Sequence, residues 1–470
     1  MKPNYSLTSS LFFRCLGVIY LIAFLSLSVQ ITGLVGTNGI LPVRDFLRVV
    51  YEAVGSTAWL HAPTLFWFGA SDSILRSACY AGILSSLGLI LGRSQRLAAA
   101  ISFVLYLSLV VAGQAFLSFQ WDYLLLETGF LAIFLTPVFA RVWLFHWLLF
   151  RLVFLSGAVK LLNHDAAWRN LTALRFHYET QPLPTPLAWY FHQLPGWFQT
   201  FSAVAMFAIE LAVPFCIFAP RRIRLMAAGA IAAFQLLIIA TGNYAFFNLL
   251  TLVLCLLLCD DQALERWIPA WLKKDVASPA APRFPQVARV ATPLLFSLIL
   301  LLSGLQLGEA FFGALPAPGR AILRWTSPFG IVNSYGLFAV MTTTRPEIVI
   351  EGSNDNQTWL EYEFRYKPGD VKRRPAWVEP HQPRLDWQMW FAALGNYQQN
   401  RWFVNLMLQL LRGSPDVLGL LGRNPFPGGP PRYIRARIYE YHFTSFKGNG
   451  GSWWSRTLGG EYFPPVSLRQ

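Results

Sequence analysis

The sequence predicts an α-helical polytopic membrane bundle of about nine transmembrane helices, followed by a small α+β exported domain. Three observations lead to this prediction. Hydrophobic residues make up 54% of the 470 residues and charged residues only 13%, about half the charged share of a soluble protein. Long apolar segments recur through the first 310 residues. Beyond them, short strand-like and helix-like patterns replace the apolar segments.

The expected spans follow the apolar segments in order. Six are clearly separated from their neighbours: 12–31, 76–92, 97–117, 198–219, 225–242 and 288–308. Three are less isolated: 121–136, 143–162 and 243–259. No small-residue cleavage site follows the first segment, so we interpret it as a retained helix and not as a signal peptide. Residues 1–310 therefore form the expected transmembrane domain.

Basic residues between the spans predict the orientation. Lys and Arg occupy alternate loops: Arg93 and Arg96, Arg141, Arg221, Arg222 and Arg224, and Lys273 and Lys274. Because basic loops stay on the cytoplasmic side, this pattern places the N-terminus in the cytoplasm. The loop 163–197 and the domain 311–470 are then exported. The expected location is the inner membrane if the source is bacterial, and the endoplasmic reticulum membrane if it is eukaryotic.

Residues 311–470 have the patterns of a compact soluble domain. Glu347–Glu351 and Trp359–Tyr366 alternate apolar and polar residues, and the stretch Gly352–Asn356 between them is typical of a hairpin turn. Tyr433–Phe443 alternates in the same way. Leu385–Leu394 and Trp402–Leu411 have helical spacing instead. The tail is therefore predicted to contain a small sheet and two helices.

The net charge of +14 does not indicate a nucleic-acid partner. Residues 1–310 hold 20 basic and 13 acidic residues, and residues 311–470 hold 18 and 11, so each part contributes +7. In the first part the basic residues set topology and contact anionic lipid. The positive charge of the exported part is not explained by topology. Only this second charge can therefore concern a partner. No Walker loop, nucleophile elbow or zinc spacing occurs, and we expect no metal and no cofactor.

Four ionisable residues fall at membrane depth: Glu127, Arg151, Lys160 and Glu210. Such a residue costs a few kcal/mol, so it needs a partner or a function. One interpretation is structural, with acid–base pairs between helices. The other is a polar cavity open to the exported side.

The exported loop 163–197 is dense in polar and aromatic residues. It contains Asp165, Trp168, His177, Tyr178, Glu179, Thr180 and Gln181, followed by Pro182, Pro184 and Pro186. The prolines predict a stiff, extended segment at the membrane surface. Two interpretations stay open: the lining of a site, or an interfacial aromatic belt that anchors the loop.

Several stretches of uncommon residues carry a family resemblance. They are Phe119–Asp122 with Leu125–Phe130, Arg151 through Lys160 to Trp168, His177–Pro184, Asn243–Asn248, Asn333–Phe338, Met341–Glu347, Glu351–Asp355 and Pro383–Phe391. Through them the chain resembles the lipase maturation factor family over nearly its whole length. The polar and aromatic residues that match the family pattern are Trp121, Asp122, Glu127, Arg151, Lys160, Asp165, Trp168, His177, Tyr178, Glu179, Thr180, Gln181, Asn243 and Asn248.

The resemblance implies a membrane-anchored maturation factor or chaperone that assists the folding and assembly of secreted lipases. The exported tail is then the part that meets the lipase client, and the lipid bilayer is the other partner. The client-binding candidates are Arg345, Glu347, Trp359, Trp387, Trp390 and Phe391. The alternative for these six residues is the core of the tail itself, because large aromatic side chains are usually buried.

A second, local resemblance suggests an alternative function. Gly157, Val159, Lys160 and Leu161, followed by Asp165 and Trp168, are similar to a membrane stretch of the vitamin K-dependent γ-carboxylase family. That family has a lysine pair near its chemistry, whereas this chain has a single lysine. The alternative is an intramembrane enzyme that acts on a lipid or quinone-like substrate, with Lys160 as a base. Its further catalytic candidates are His177, Tyr178, Glu179 and Glu210. On this hypothesis Lys160, Glu179 and Glu210 would have to converge on one cavity.

Overall fold

The computed structural model describes residues 4–135, 139–269, 285–446 and 450–468, and these residues are mostly helical. The apolar helices in these ranges are α1 (Ser6–Ser28), α2 (Asp72–Ile90), α3 (Gln95–Leu117), α4 (Gln120–Phe134), α5 (Phe139–Leu162), α6 (Gly196–Phe218), α7 (Arg221–Thr241), α8 (Phe247–Leu256) and α9 (Pro285–Phe312). Each lies on one of the expected spans. Within the described residues, seven of them are long and apolar enough to cross a membrane, and α4 and α8 are shorter.

The two shorter helices, α4 and α8, are too short by themselves to cross a hydrocarbon core. Helix α4 has 15 residues and α8 has 10, so they span about 22 and 15 Å, less than a hydrocarbon core of about 30 Å. Asp122, at the start of α4, contacts the C-terminal tail. Asp260, just after α8, contacts Arg221 at the opposite end. These contacts place the start of α4 at the tail end of the bundle and the end of α8 at the opposite end.

The basic loops between α2 and α3 and between α6 and α7 lie at the end of the bundle that holds the N-terminus. The backbone N–H of Thr8 donates to Asp261 Oδ1 at 2.9 Å, and Arg14 donates to the carbonyl of Ile90 at 2.8 Å. Arg221 pairs with Asp260 at the same end. The tail packs against the other end. Lys273 and Lys274 lie outside the described residues, so their position stays a prediction.

Short helices fill the connections at the tail end. Three lie between α1 and α2: Ile31–Val35, Val43–Val54 and Ala58–His61. Three more lie between α5 and α6: Ala166–Arg169, Leu174–Thr180 and Pro186–His192. The expected extended segment is thus limited to the few residues around Pro184, which forms a bridge to Gly242. Pro186 instead begins a helix, where its missing N–H costs nothing.

The tail contains a four-stranded antiparallel sheet of order β2-β1-β3-β4. Its strands are β1 (Pro346–Ser353), β2 (Leu360–Glu361), β3 (Tyr433–Phe443) and β4 (Trp454–Val466). Its longer helices are α10 (Ala317–Thr326), α11 (Arg384–Ala393) and α12 (Arg401–Leu411). The expected strand over 359–366 is reduced to two residues, because the following chain turns away to contact α11 through Asp386.

The tail shares its hydrophobic core with the bundle. Trp387 of α11 packs edge-on against Trp121 of α4, with ring centroids 4.7 Å apart. Trp402 of α12 meets Phe116 of α3 at 5.6 Å. One contiguous cluster of buried apolar residues runs from α1 to the sheet. Because burial of this apolar surface holds the two parts together, the tail is a cap on the bundle and not a tethered module.

Candidate functional site

A buried ion pair joins the tail to the start of α4. Arg384, the first residue of α11, places its two Nη atoms 2.6 and 2.8 Å from the carboxylate oxygens of Asp122. Tyr106 of α3 donates its hydroxyl to the same carboxylate at 2.5 Å. The Arg384 and Asp122 side chains are 1% and 0% exposed. A two-point pair fixes orientation as well as charge, so it sets how α11 sits on α3 and α4.

A second buried network lies where the chain returns to the bundle after α10. Glu127 of α4 pairs with Arg151 of α5. The other Glu127 oxygen accepts the backbone N–H of Asn333 at 2.9 Å and the hydroxyl of Tyr335 at 2.8 Å. Arg151 also donates to the carbonyl of Asn333 at 3.1 Å. The pair expected between helices is therefore present, and it holds the segment around Asn333 as well.

Arg345 joins the sheet to the loop between α5 and α6. It lies just before β1, is fully buried, and donates to Glu347 at 2.8 Å. Its guanidinium also donates to the backbone carbonyls of Glu179, Gln181 and Pro182. Lys367 reaches the second Glu347 oxygen at 2.9 Å. A guanidinium can satisfy several carbonyl groups at once, which explains why an arginine is buried here.

Glu179 points to the end of β3. Its carboxylate accepts the backbone N–H of Phe443 at 2.6 Å and lies 3.1 Å from His442 Nδ1. His192 Nε2 is 3.8 Å away. Burial lowers the pKa of His192, although the nearby Glu179 charge acts in the opposite direction. Glu179 is thus a structural acceptor at the junction of the loop and the sheet.

Both the oxygen and the nitrogen of the Asn243 side-chain amide join the α7–α8 turn to the tail. Its oxygen accepts the backbone N–H groups of Val378 and Glu379, at 2.8 and 3.1 Å. Its nitrogen donates to the carbonyls of Leu183 and Ala376, at 3.1 and 2.9 Å. A buried amide with four partners of this kind holds three segments in one arrangement.

A cavity of about 140 Å³ lies beside this junction, between α5, α6, α7 and α8. Its walls are mostly apolar and include Leu152, Val153, Met206, Phe234 and Phe338. Its polar lining residues include Lys160, His177, Glu210, Gln235 and Asn248. A concave, largely apolar space with a few polar groups is typical of a small-molecule site.

Lys160 and Glu210 form an ion pair on the wall of the cavity. Lys160 Nζ lies 2.8 and 3.1 Å from the two Glu210 oxygens, and it donates to the carbonyl of Ser156 at 2.8 Å. The ammonium also lies 5.3 Å from the centre of the Trp168 ring, which favours a cation. The Lys160 nitrogen is therefore already engaged by Glu210 and Ser156, whereas a general base needs a nitrogen that is free to take a proton from the substrate.

A π-helical turn places Glu210 opposite Lys160. Helix α6 is α-helical over Gly196–Phe207, widens over Ala208–Ala212 and tightens over Val213–Phe218. Pro214 explains the irregularity, because it has no N–H to donate to a carbonyl of the preceding turn. Gly157 of α5 lets the two helices approach closely: a Cβ there would lie 2.8 Å from Glu210 Cβ.

His177 connects the cavity to the Asn243 junction. Tyr244 donates to Gln181 Oε1 at 2.8 Å, and its hydroxyl lies 3.3 Å from His177 Nε2. Gln181 in turn donates to the carbonyl of Thr241 at 2.8 Å. Burial, and to a lesser extent the Lys160 charge, lowers the pKa of His177 to about 4. His177 is therefore neutral at pH 7.

Comparison with known protein families covers both parts of the chain. The family described as "Lipase maturation factor transmembrane domain" matches residues 7–266, and "Lipase maturation factor C-terminal domain" matches residues 331–464. The first match alone spans more than half of the chain. The chain belongs to the lipase maturation factor family. Its apolar helices therefore mark it as an integral membrane protein.

The relatives are similar over nearly the whole chain. Lipase maturation factor 2 of Gallus gallus is 38% identical, covering 97% of this chain and 81% of the relative. Lipase maturation factor 2 of Homo sapiens is 38% identical over 98% and 83%. Lipase maturation factor 1 of Bos taurus is 36% identical over 99% and 90%. No solved structure matches the chain significantly.

The residues that match the family pattern occupy two neighbouring regions. Most hold the tail to the bundle: Asp122, Glu127, Arg151, Asp165, Glu179, Thr180, Gln181 and Asn243. The others line the cavity: Lys160, Trp168, His177, Tyr178 and Asn248. Trp121 belongs to the shared core. The residues that the sequence analysis assigned to the family pattern thus lie at the contact between bundle and tail and around the adjacent cavity.

The five catalytic candidates do not converge completely. Lys160, His177, Tyr178 and Glu210 line the cavity, but Glu179 does not and binds the end of β3 instead. The intramembrane enzyme hypothesis required Lys160, Glu179 and Glu210 to converge on one cavity. Together with the engaged Lys160, the separate position of Glu179 disfavours catalysis by a lysine base.

Four of the six client-binding candidates are buried. Arg345, Glu347, Trp387 and Trp390 are at most 6% exposed, so they have no free surface for a client. Trp390 donates its indole N–H to the carbonyl of Thr180 at 2.8 Å. Trp359 is half-buried beneath Arg435, and Phe391 is exposed. The core interpretation therefore describes four of the candidates.

Three further polar residues of these networks are not individual candidates in the sequence analysis. Arg384 and Tyr335 lie in stretches that carry the resemblance, yet only the fold shows that they bind Asp122 and Glu127. Gln235 lies in the middle of apolar α7. A lone polar residue in an apolar span is a usable signal, and Gln235 accepts a hydrogen bond from Asn248 at 2.7 Å.

Proposed function

We propose that this chain is a membrane-anchored maturation factor that assists the folding and assembly of secreted lipases. The observation that carries the proposal is the similarity of nearly the whole chain to proteins named lipase maturation factor 1 and 2. Both the transmembrane and the C-terminal parts of the family are represented. Because bundle and tail share one core, the anchor and the proposed client-binding part would act as one rigid unit.

The proposed topology has nine spans, a cytoplasmic N-terminus and an exported tail. Two features support it: the basic loops share an end with the N-terminus, and the tail caps the opposite end. The proposed division is a transmembrane domain over 1–310 and an exported α+β domain over 311–470. The client would then meet the protein on the exported side, in the endoplasmic reticulum lumen or the periplasm.

An exposed aromatic patch is the proposed client contact. It consists of the exposed Tyr190 of the α5–α6 loop and the exposed Phe446 of the β3–β4 connection, with the half-buried Trp453 and the buried Trp189 packed beneath them. Trp189 lies 4.8 Å from Phe446 and 5.3 Å from Trp453, measured between ring centroids. Tyr190 and Phe446 are 46% and 60% exposed. Clustered exposed aromatic residues are typical of binding sites for other proteins.

The test expresses a secreted lipase in cells that lack other maturation factors and measures lipase activity per lipase molecule. We expect the chain to raise this ratio. Replacing Tyr190 and Phe446 together by serine should reduce the gain about tenfold, as for central contacts of an interface. The matched control is Leu458→Ser, which changes an exposed residue of β4 outside the patch. A ratio that does not depend on the chain would overturn the proposed function.

Two further variants separate the remaining hypotheses. If Phe391→Ser abolishes maturation and the patch variant does not, the client contact lies on α11. Lys160→Arg keeps a cation opposite Glu210 but cannot act as a base. We expect normal maturation from it. Loss of maturation with normal protein levels would instead support the intramembrane enzyme.

A further inference from the structure

The cavity beside Lys160 holds buried polar atoms that lack partners. Asn248 is 1% exposed, and its amide nitrogen donates to Gln235 at 2.7 Å. Among the residues that the structure describes, no donor reaches Asn248 Oδ1, and His177 Nδ1 also lacks a partner. Both residues line the cavity. An unsatisfied acceptor beside an otherwise apolar space is a place for a hydrogen-bond donor on a ligand.

The charge of the cavity selects against an ionic ligand. Lys160 and Glu210 already neutralise each other within 2.8 Å, and His177 is neutral at pH 7. A carboxylate or phosphate would compete with Glu210 for the single ammonium and leave one negative charge uncompensated in an apolar surrounding. An uncharged head with a hydroxyl group can instead donate to Asn248 Oδ1 without disturbing the ion pair.

The cavity is placed to receive its ligand from the bilayer. Leu237 lines the cavity and is also 46% exposed on the outer face of α7. Helices α6 and α7 contact each other mainly through Val213–Phe218, near the basic end, and only slightly along Gly196–Phe207. Ser202 of α6 also lines the cavity and is half-buried. The space between the helices therefore faces the hydrocarbon region.

The size of the cavity matches one hydrocarbon chain better than two. Its volume of about 140 Å³ is close to that of engineered apolar cavities of about 150 Å³ that hold a single benzene ring. A small polar head and the first carbons of one chain would therefore enter, and the rest of that chain would stay in the bilayer.

We propose that this cavity binds a neutral single-chain lipid with a free hydroxyl group, of the monoacylglycerol class. Its hydroxyl donates to Asn248 Oδ1, and its chain leaves between α6 and α7 past Leu237 and Ser202. The site does not depend on the proposed role in lipase maturation, because it is defined by the cavity alone. A variant that loses lipid binding but keeps maturation would leave both proposals standing.

The test uses the purified full-length protein and a photoreactive, alkyne-tagged monoacylglycerol, with crosslinked peptides identified by mass spectrometry. We expect adducts on peptides that contain Ser202 or Asn248. Unlabelled 1-oleoylglycerol should compete about tenfold better than oleate or methyl oleate, because only it offers a neutral hydroxyl donor. Equal competition by the three lipids, or adducts spread evenly over the outer helix surfaces, would overturn the proposal.

Two variants test the location. Ser202→Trp fills the opening and should remove the adducts, whereas Val204→Trp, on the exposed face of the same helix, should leave them unchanged. Asn248→Leu removes the acceptor and should abolish the advantage of 1-oleoylglycerol over methyl oleate. If Asn248→Leu fails to fold, the comparison of Ser202→Trp with Val204→Trp still tests whether the lipid binds in the cavity. Equal labelling of Ser202→Trp and the wild type would show that the lipid binds elsewhere.

Discussion

At the scale of single residues, the sequence shows which ionisable residues lie at membrane depth but not which of them pair with each other. Hydropathy places Glu127, Arg151, Lys160 and Glu210 at membrane depth, where each needs a partner. It does not choose between the two alternative pairings. The fold pairs Glu127 with Arg151, 24 residues away, and Lys160 with Glu210, 50 residues away. Helix packing makes this choice, because only packing decides which helix faces meet.

Glu379 makes the stability of the folded protein depend on pH in a defined direction. Its backbone N–H donates to Asn243, but within the described residues neither carboxylate oxygen has a hydrogen-bond partner. Burial raises the pKa of Glu379 from 4.5 to about 8. The folded protein therefore holds this proton more tightly than the unfolded chain does. Its stabilising contribution is complete below pH 4.5 and is lost as the pH rises through about 8.

Glu379→Gln should remove this pH dependence, because the amide stays neutral. At pH 5 we expect the variant and the wild type to unfold at similar temperatures. Between pH 5 and pH 9 the wild type should lose several degrees relative to the variant. Thermal unfolding of both proteins in the same detergent across this range is the measurement. A constant difference between the two curves would contradict the raised pKa.

At the scale of elements, Gly157 sets the distance between α5 and α6. A Cβ at this position would lie 2.8 Å from Glu210 Cβ and 2.9 Å from Leu211 Cδ2. We therefore expect Gly157→Ala to push the helices apart, weaken the Lys160–Glu210 pair and lower the unfolding temperature. The matched control is Gly229→Ala in α7, whose Cβ would meet nothing within 4 Å.

The control should be neutral or slightly stabilising, because alanine favours a helix by about 1 kcal/mol over glycine. Thermal unfolding of the two variants side by side is the measurement. If both variants change stability in the same direction and by the same amount, the close approach at Gly157 has no special role.

The Arg384–Asp122 pair should show the energetics of a buried ion pair. Asp122→Asn leaves a buried guanidinium uncompensated, and we expect a loss of about 3–5 kcal/mol in the free energy of unfolding. The double variant Asp122→Leu, Arg384→Met should recover much of this loss, because it removes both charges. Denaturant unfolding of the single and double variants measures the coupling.

The exposed pair Arg48–Asp45 is the control for this prediction. Its side chains are 68% and 60% exposed, so Asp45→Asn should change the stability by less than about 1 kcal/mol. Additive losses in the double variant at Asp122 and Arg384 would show that the two side chains do not act as a pair.

At the scale of the whole molecule, the bundle has one basic end and one capped end. All five cysteines lie in the first 310 residues, so the tail offers sites for thiol labelling once these five are replaced. Lys372→Cys lies on the exposed surface of the tail, and Arg93→Cys lies in the exposed turn between α2 and α3. These two positions report opposite ends.

We expect a membrane-impermeant thiol reagent to label Lys372→Cys from the exported side and Arg93→Cys only from the cytoplasmic side. Sealed vesicles of known orientation provide the measurement, and detergent-opened vesicles provide the control for accessibility. The reverse pattern would overturn the proposed orientation, and labelling of both from one side would contradict the separation of the two ends.

Local sequence predicted regular elements better than irregular ones. Apolar helices lie on the expected segments, and the strand Tyr433–Phe443 matches the structure, because periodicity and hydropathy are local properties. Strand β4 was missed, since Gly459, Gly460 and two prolines interrupt its pattern. It forms because β3 offers a long partner, with irregular register where the glycines lie. The short α4 and α8 likewise depend on the neighbours that surround them.

The sequence by itself determined the membrane bundle, its basic loops, the α+β class of the tail with β1, β3, α11 and α12, and the family. These follow from composition, from patterns within one element and from runs of uncommon residues. The tertiary structure alone decided that the tail caps the bundle, that Glu179 leaves the cavity for β3, and that Asn248 Oδ1 lacks a donor. Each of these depends on contacts between residues far apart in the chain, and such contacts form only when the helices pack.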